Sequence, residues 1–164
     1  MSGKSEPRSG PVIGHVHLKI ADLDRAIAFY RLLGFEVTQR HGAQAAFMGA
    51  DGYHHHIGLN TWESAGAGPA PSGHTGLYHL AVLYPDRVAL AQALNRVVQA
   101  GVQLDGAADH GVSEALYFRD PDGNGVEIYR DRHPDEWPRD ADGQLSMHNA
   151  RLDVAALLDL AQSD

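Results

Sequence analysis

The sequence predicts an α+β fold built from two tandem β-α-β-β-β units. A strand-helix-strand pattern occurs twice, over residues 15–37 and again over residues 79–104. Near the end of each copy, an Asp-Gly turn at 51–52 or 122–123 joins two extended stretches, which is typical of a hairpin. Internal duplication of this kind predicts two similar curved sheets that face each other. We therefore expect a cupped, partly open, mixed β-structure.

The first copy begins with alternating residues, in which Val16, Leu18 and Ile20 face one side of a strand. Asp22 can then cap a helix, because aspartate side chains accept hydrogen bonds from the free amides of a first turn. Gly34 follows the helical pattern at the position where glycine commonly ends a helix.

The second copy repeats this plan with the same spacing. Seven residues separate His79 from Asp86, as seven separate His15 from Asp22, and Gly101 takes the place of Gly34. Helix capping accounts for both aspartates, so neither is a candidate catalytic acid.

Composition favours one module followed by a less regular tail. In this tail Trp137 is a candidate anchor, and an apolar pattern predicts a short terminal helix. The predicted organisation is a disordered arm (1–11), a module (12–132) with halves 12–62 and 75–132 and a Gly/Pro/Ser-rich linker (63–74), and the tail (133–164).

Charge and cysteine content narrow the function classes. With 13 basic and 21 acidic residues the net charge is −8, so neither nucleic acid nor an anionic membrane surface is an expected partner. The chain has no cysteine, which excludes disulfides, thiolate nucleophiles and cysteine-bound zinc. No G-x-S-x-G pattern supports a serine hydrolase. We expect a cytoplasmic protein.

Histidine is abundant, with 11 residues, and superposing the two halves gives some of them a pattern. His15 and His79 both begin the first strand of their half. His56 and Glu127 both lie five residues after the aspartate of the Asp-Gly turn. Four side chains that can bind a metal thus occupy two pairs of equivalent positions.

The motifs GHVHLKIADLDRAIAFYRLLGF, GLYHLAVLYPDR and SEALYFRDPDGNGVEIYRDR resemble the vicinal oxygen chelate superfamily, which includes glyoxalases, antibiotic resistance proteins and extradiol dioxygenases. The resemblance covers residues 12–132 and is greatest to the catechol 2,3-dioxygenase branch. It implies a cavity around a divalent metal, with His15, His79 and Glu127 as ligands. Two imidazoles and one carboxylate are typical of non-haem Fe(II) sites, with Mn(II), Ni(II) or Zn(II) as alternatives.

The same resemblance implies roles for residues around the metal. Tyr117, ten residues before Glu127, matches a substrate-contacting tyrosine, and His110 matches a histidine beside the substrate or O₂ pocket. His56 matches a general acid or base. Two alternatives stay open for His56, a fourth metal ligand and a structural role, while Tyr117 could simply pack in a core.

Strand alternation gives an expectation for the histidine run, in which His54 points the same way as His56 and His55 points away.

The leading functional hypothesis is an extradiol-type dioxygenase that opens a catechol-like ring with O₂. The first alternative is a glyoxalase-like isomerase or lyase in which His56 is a fourth ligand. The second alternative is a non-catalytic protein that binds a small molecule in the same cavity. Because the chain carries one module, whereas typical extradiol enzymes carry two, we expect a homodimer that completes or shields the cavity.

Overall fold

The computed structural model describes residues 10–162, so the predicted arm at 1–11 lies almost wholly outside the described range. A short 3-10 turn (Pro134–Glu136) follows the last long strand. In chain order the elements are β1 (Val16–Lys19), α1 (Leu23–Leu32), β2 (Glu36–His41), β3 (Ala45–Gly49), β4 (Ile57–Asn60), β5 (Leu80–Tyr84), α2 (Arg87–Gln99), β6 (Leu104–Asp109), β7 (Ser113–Arg119), β8 (Gly125–Asp131), β9 (Ala150–Arg151) and α3 (Val154–Leu160).

The α+β class and the two β-α-β-β-β units are confirmed. The first unit forms a four-stranded sheet in the order β1-β4-β3-β2, and the second forms a sheet in the order β5-β8-β7-β6-β9. In each unit the first and last strands pair in parallel, β1 with β4 and β5 with β8. Within the described residues, no helix is long and apolar enough to cross a membrane.

The helix boundaries follow from the predicted caps. Asp22 accepts a hydrogen bond from the amide of Arg25 at 2.8 Å, and Asp86 begins α2 through the equivalent bond from Ala89. Gly34, with φ +96°, lies just beyond α1 in the left-handed region that glycine enters without a side-chain clash.

Each sheet has one face covered by helices and one open face. In β1, Leu18 is buried, whereas its neighbours His17 and Lys19 are exposed. In β5, Leu80 is buried, whereas Leu83 is 53% exposed. Burial of the alternating apolar residues beneath α1 and α2 is the main stabilising contribution to such a layered fold. The candidate metal-binding residues belong to the open side.

The D-P-D-G-N turn between β7 and β8 joins the two halves. The Tyr30 hydroxyl, on α1, donates to the Asp120 carboxylate at 2.9 Å, and both side chains are buried. Burial and the charge of Asp120 raise the pKa of Tyr30. Asp122 accepts from the Ala21 amide at 3.0 Å and from the Arg25 guanidinium at 2.7 Å. This motif therefore has a structural role in docking the first helix against the second half.

A buried carboxylate that sequence reasoning missed stabilises the second sheet. Glu114, 4% exposed, lies on β7 and accepts from Arg87 and Arg130 at 2.9 Å, with Arg132 at 3.6 Å. A buried charge of this kind is tolerated only because several cations compensate its desolvation.

Replacing Glu114 by alanine is expected to decrease the free energy of unfolding by about 3 kcal/mol, because Arg130 would keep a buried charge without its partner. Chemical denaturation measures the change. Asp105→Ala, which removes the solvent-exposed Arg119–Asp105 pair, is the control and should cost less than about 1 kcal/mol. Equal losses of unfolding free energy in the two variants would contradict the stabilising role of Glu114.

Candidate active site

His79 and Glu127 meet on the open side of the second sheet. Glu127 lies on β8, where strand register places it between Ala81 of β5 and Tyr117 of β7. His79 immediately precedes β5, and its Nε2 is 2.9 Å from Oε2 of Glu127. Two ligand atoms about 2.1 Å from one metal, at a right angle, lie about 3 Å apart. The pair therefore fits two neighbouring positions of a divalent metal.

Tyr117 and His110 extend this pair into a contiguous polar cluster. The Tyr117 hydroxyl is 2.9 Å from His110 Nε2. The rings of Tyr117 and His79 have centroids 5.9 Å apart. Burial raises the pKa of Tyr117, and the neighbouring charge of Glu127 raises it further. Tyr117 therefore stays a neutral phenol, and its hydroxyl can donate or accept a hydrogen bond.

His15 does not join this cluster within one chain. It precedes β1 in the first sheet, where its ring centroid is 4.4 Å from that of His55. Among residues 10–162, no three His, Asp or Glu side chains are arranged to hold a metal ion. The structure thus places two of the three predicted ligands in contact and leaves the full set a prediction.

His56 packs beside the rings of Tyr53 and Phe35, with centroid distances of 4.6 and 5.8 Å. Its Nδ1 accepts a hydrogen bond from the Ala50 amide at 3.3 Å. A nitrogen that accepts an amide proton is unprotonated, so a neutral His56 carries its proton on Nε2.

The side chain of His55 does not have the orientation that strand alternation predicts. Its ring lies against His15 and against Phe47, 5.0 Å away, instead of pointing away from the site. The reason is that β4 begins only at Ile57, so strand alternation does not extend to the preceding loop. Desolvation, followed by the neighbouring His15 and His54, lowers the pKa of His55.

Two cavities meet at His79. The larger, of about 700 Å³, lies between the halves and is lined by His15, His56 and His79. The smaller, of about 430 Å³, is lined by His79, His110, Tyr117 and Asn149. Sequence reasoning missed Asn149, because it lies in an irregular tail that carries no periodicity or motif.

A family model described as the glyoxalase/bleomycin resistance protein/dioxygenase superfamily matches residues 12–128. The chain belongs to this superfamily. A crystal structure of a glyoxalase/dioxygenase from Nostoc punctiforme has the same fold, with a TM-score of 0.63 and 19% identity over 80% of this chain and all of that one.

Two curated proteins are similar in sequence. The chain is 43% identical to a catechol-2,3-dioxygenase of Bacillus subtilis (strain 168), over 91% of this chain and 52% of that protein. It is 30% identical to biphenyl-2,3-diol 1,2-dioxygenase 3 of Rhodococcus globerulus, over 74% of this chain and 64% of that protein. The chain therefore spans about half to two thirds of the length of these relatives.

An ion pair joins the end of β6, just before His110, to Arg132, which immediately follows β8. Arg132 binds both carboxylate oxygens of Asp109, with Nη2 at 2.8 Å from Oδ2. The hydrogen bonds that Arg132 donates are the main reason why the pKa of Asp109 is lowered to about 2.

Because the pKa of Asp109 is lower in the folded chain than in the unfolded chain, its contribution to stability is present above pH 4 and is lost between about pH 4 and pH 2. After a discount for solvent screening, we expect about 1 kcal/mol. Asp109→Asn should be less stable at pH 7 and should lose less stability over this window than the unmodified chain. Denaturation at pH 7, 4 and 2.5 measures both; an unchanged pH dependence would contradict the assignment.

Proposed function

We propose that this chain is a metal-dependent extradiol-type dioxygenase, which uses O₂ to open the ring of a catechol-like aromatic. The observation that carries the proposal is the 2.9 Å contact between His79 and Glu127, beside the hydrogen-bonded pair of Tyr117 and His110. The similarity to two ring-cleaving dioxygenases supports the same chemistry.

The proposed metal is Fe(II), with His15, His79 and Glu127 as ligands. Held by these residues, such a metal would supply Lewis-acid and redox chemistry that activates the diol and O₂ for reaction with each other. Two neutral imidazoles and a single carboxylate leave the site with a net positive charge. An anionic diol is therefore attracted to it.

The remaining polar residues act on protons. His56 lines the cavity between the halves and is the proposed general acid or base for one diol hydroxyl. In the neutral ring Nε2–H is a donor, so His56 accepts a proton only when Nδ1 releases the Ala50 amide. His110 and Tyr117 line the adjoining cavity, where they can hydrogen-bond to substrate or oxygen atoms. Both oxygen atoms of O₂ enter the ring-opened product.

We also propose a homodimer in which His15 of a second copy meets His79 and Glu127. Within one chain these ligands lie on different sheets. The cavity between the halves also has an exposed apolar rim, which includes Ile13, Leu77 and Leu83 at 90%, 62% and 53% exposure. Exposed apolar residues grouped around a cavity are typical of a surface that a protein partner covers. A second copy would bury the rim and complete the ligand set.

The first test is metal analysis of untagged protein, followed by anaerobic Fe(II) loading and O₂ uptake with catechol. We expect about one iron per chain, O₂ consumption and a yellow ring-opened product, with iron binding decreased in Glu127→Gln because a neutral amide is a poorer ligand. Protein that binds nickel, zinc or manganese and consumes no O₂ would overturn the dioxygenase proposal.

A mixing experiment tests whether the ligands come from two copies. His15→Ala and His79→Ala should each be inactive alone, because each removes one proposed ligand. If the site is shared, a mixed dimer contains one intact site, and equal mixing restores about a quarter of the activity. Refolded mixtures are compared with each variant alone. No recovery, with mixed dimers present by mass spectrometry, would contradict the shared site.

One observation favours the isomerase or lyase as a second candidate. His15, His56 and His79 all line the larger cavity, so His56 could become a fourth ligand when the metal binds. A four-ligand site leaves fewer positions for a diol and O₂ together. Retained metal affinity in His56→Ala would favour the dioxygenase, whereas loss of the metal would favour this candidate.

A further inference from the structure

The C-terminal segment, residues 137–152, lies against β6, the strand that immediately precedes His110. Its strand β9 pairs with β6, with Ala150 opposite Asp109. The His148 amide also donates to the His110 carbonyl at 3.3 Å, which continues the ladder one step further. The segment is held at one end by Trp137, whose Nε1 donates to the Arg132 carbonyl at 2.9 Å. At the other end Leu152 is buried, next to α3.

Two side-chain contacts show that the segment reaches the polar cluster. His110 Nδ1 is 3.3 Å from the His148 carbonyl oxygen. Asn149, the next residue, lines the smaller cavity together with His110 and Tyr117. The segment therefore forms a wall of this cavity.

The His148 carbonyl determines which nitrogen of His110 carries the proton. A carbonyl oxygen only accepts hydrogen bonds, so a hydrogen bond across this 3.3 Å contact requires the proton on Nδ1 of His110. In the neutral ring Nε2 is then an acceptor, and the 2.9 Å contact is a bond that the Tyr117 hydroxyl donates.

We propose that the C-terminal segment positions His110 for the reaction by holding it as the Nδ1-protonated tautomer, which makes Tyr117 the donor and His110 Nε2 the acceptor. Tyr117 also lies within hydrogen-bond reach of Glu127. Because Tyr117 has one hydroxyl proton, donation to His110 directs that proton away from the Glu127 carboxylate. It also leaves a lone pair of the Tyr117 oxygen to accept a hydrogen bond from a substrate hydroxyl. The catalytic consequence rests on the proposed function, but the tautomer does not.

Gly111 provides a substitution that separates the segment from His110. Its φ is +77°, and an added Cβ would lie 2.6 Å from His148 Cε1 and 2.7 Å from Pro138 Cγ, so these two side chains of the segment would have to shift. Gly101 is the matched control, with φ +79° and open space around the added Cβ. Alanine causes similar backbone strain at both sites and displaces the segment at one of them.

The experiment is ¹⁵N NMR of the histidine rings in the full-length chain at pH 8, where an ordinary imidazole is neutral. It uses no metal and no substrate, and loss of a resonance in His110→Gln assigns the ring. We expect protonated Nδ1 and unprotonated Nε2 in the unmodified chain and in Gly101→Ala, and a mixture of tautomers in Gly111→Ala. Trp137→Phe, which removes the Nε1 donor and keeps an aromatic ring, should change the populations in the same direction.

A protonated Nε2 in the unmodified chain, or identical His110 spectra in the two glycine variants, would overturn the proposal. If Gly111→Ala does not fold, an unchanged His110 tautomer in Trp137→Phe would likewise overturn the proposal. The O₂ uptake assay is a separate experiment. The NMR result therefore tests the positioning of His110, whether or not the chain has the proposed activity. In an active enzyme, kcat of Gly111→Ala should fall about tenfold relative to Gly101→Ala, as is typical when the partner of a site residue is removed.

Discussion

The register of three adjacent strands creates the candidate site. Parallel pairing of β5 with β8 and antiparallel pairing of β8 with β7 set Ala81, Glu127 and Tyr117 in one row. Side chains alternate between the faces of a sheet, so a shift of one residue would turn Glu127 toward the helices and away from His79. The buried residues beside this row, Val126 and Ile128, oppose such a shift because it would expose them.

The same turn that begins β8 also positions the first half. Asp120 and Asp122 bind groups on and before α1, so the segment that delivers Glu127 to the site also orients the helix behind β1. Packing thus explains the D-P-D-G-N motif without a role in a reaction. Both carboxylates accept structural hydrogen bonds, with only Oδ2 of Asp122 buried without a partner among the described residues. The candidate metal ligand Glu127 lies seven residues after Asp120.

The open faces of the two sheets explain why the predicted ligands His15, His79 and Glu127 do not all meet within one chain. Each half buries its apolar face against helices and leaves its histidines on the opposite side. His15 therefore contacts His55, whereas His79 contacts Glu127. Burial of the exposed rim by a second copy and completion of the metal site would be one event. Metal binding and dimer formation would then stabilise each other.

Local signals in the sequence determined the repeat, the helices and the positions of two candidate site residues. Asp22, Asp86 and the glycines that follow each helix act through hydrogen bonds within a few residues, and the alternation of β1 and β5 is equally local. The positions of His79 and Glu127 could be predicted because each is set relative to a feature that the two halves share. For His79 this is the first strand, and for Glu127 it is the Asp-Gly turn.

Tertiary structure alone decided the surroundings of those residues. His55 turns toward His15 because β4 begins after the histidine run, where the two-residue period no longer applies. Glu114 is buried because cations from a helix and another strand converge on it. The tautomer of His110 depends on a carbonyl 38 residues away in the chain. Such contacts join segments with no shared local pattern, so they form only when the sheets and the tail have packed together.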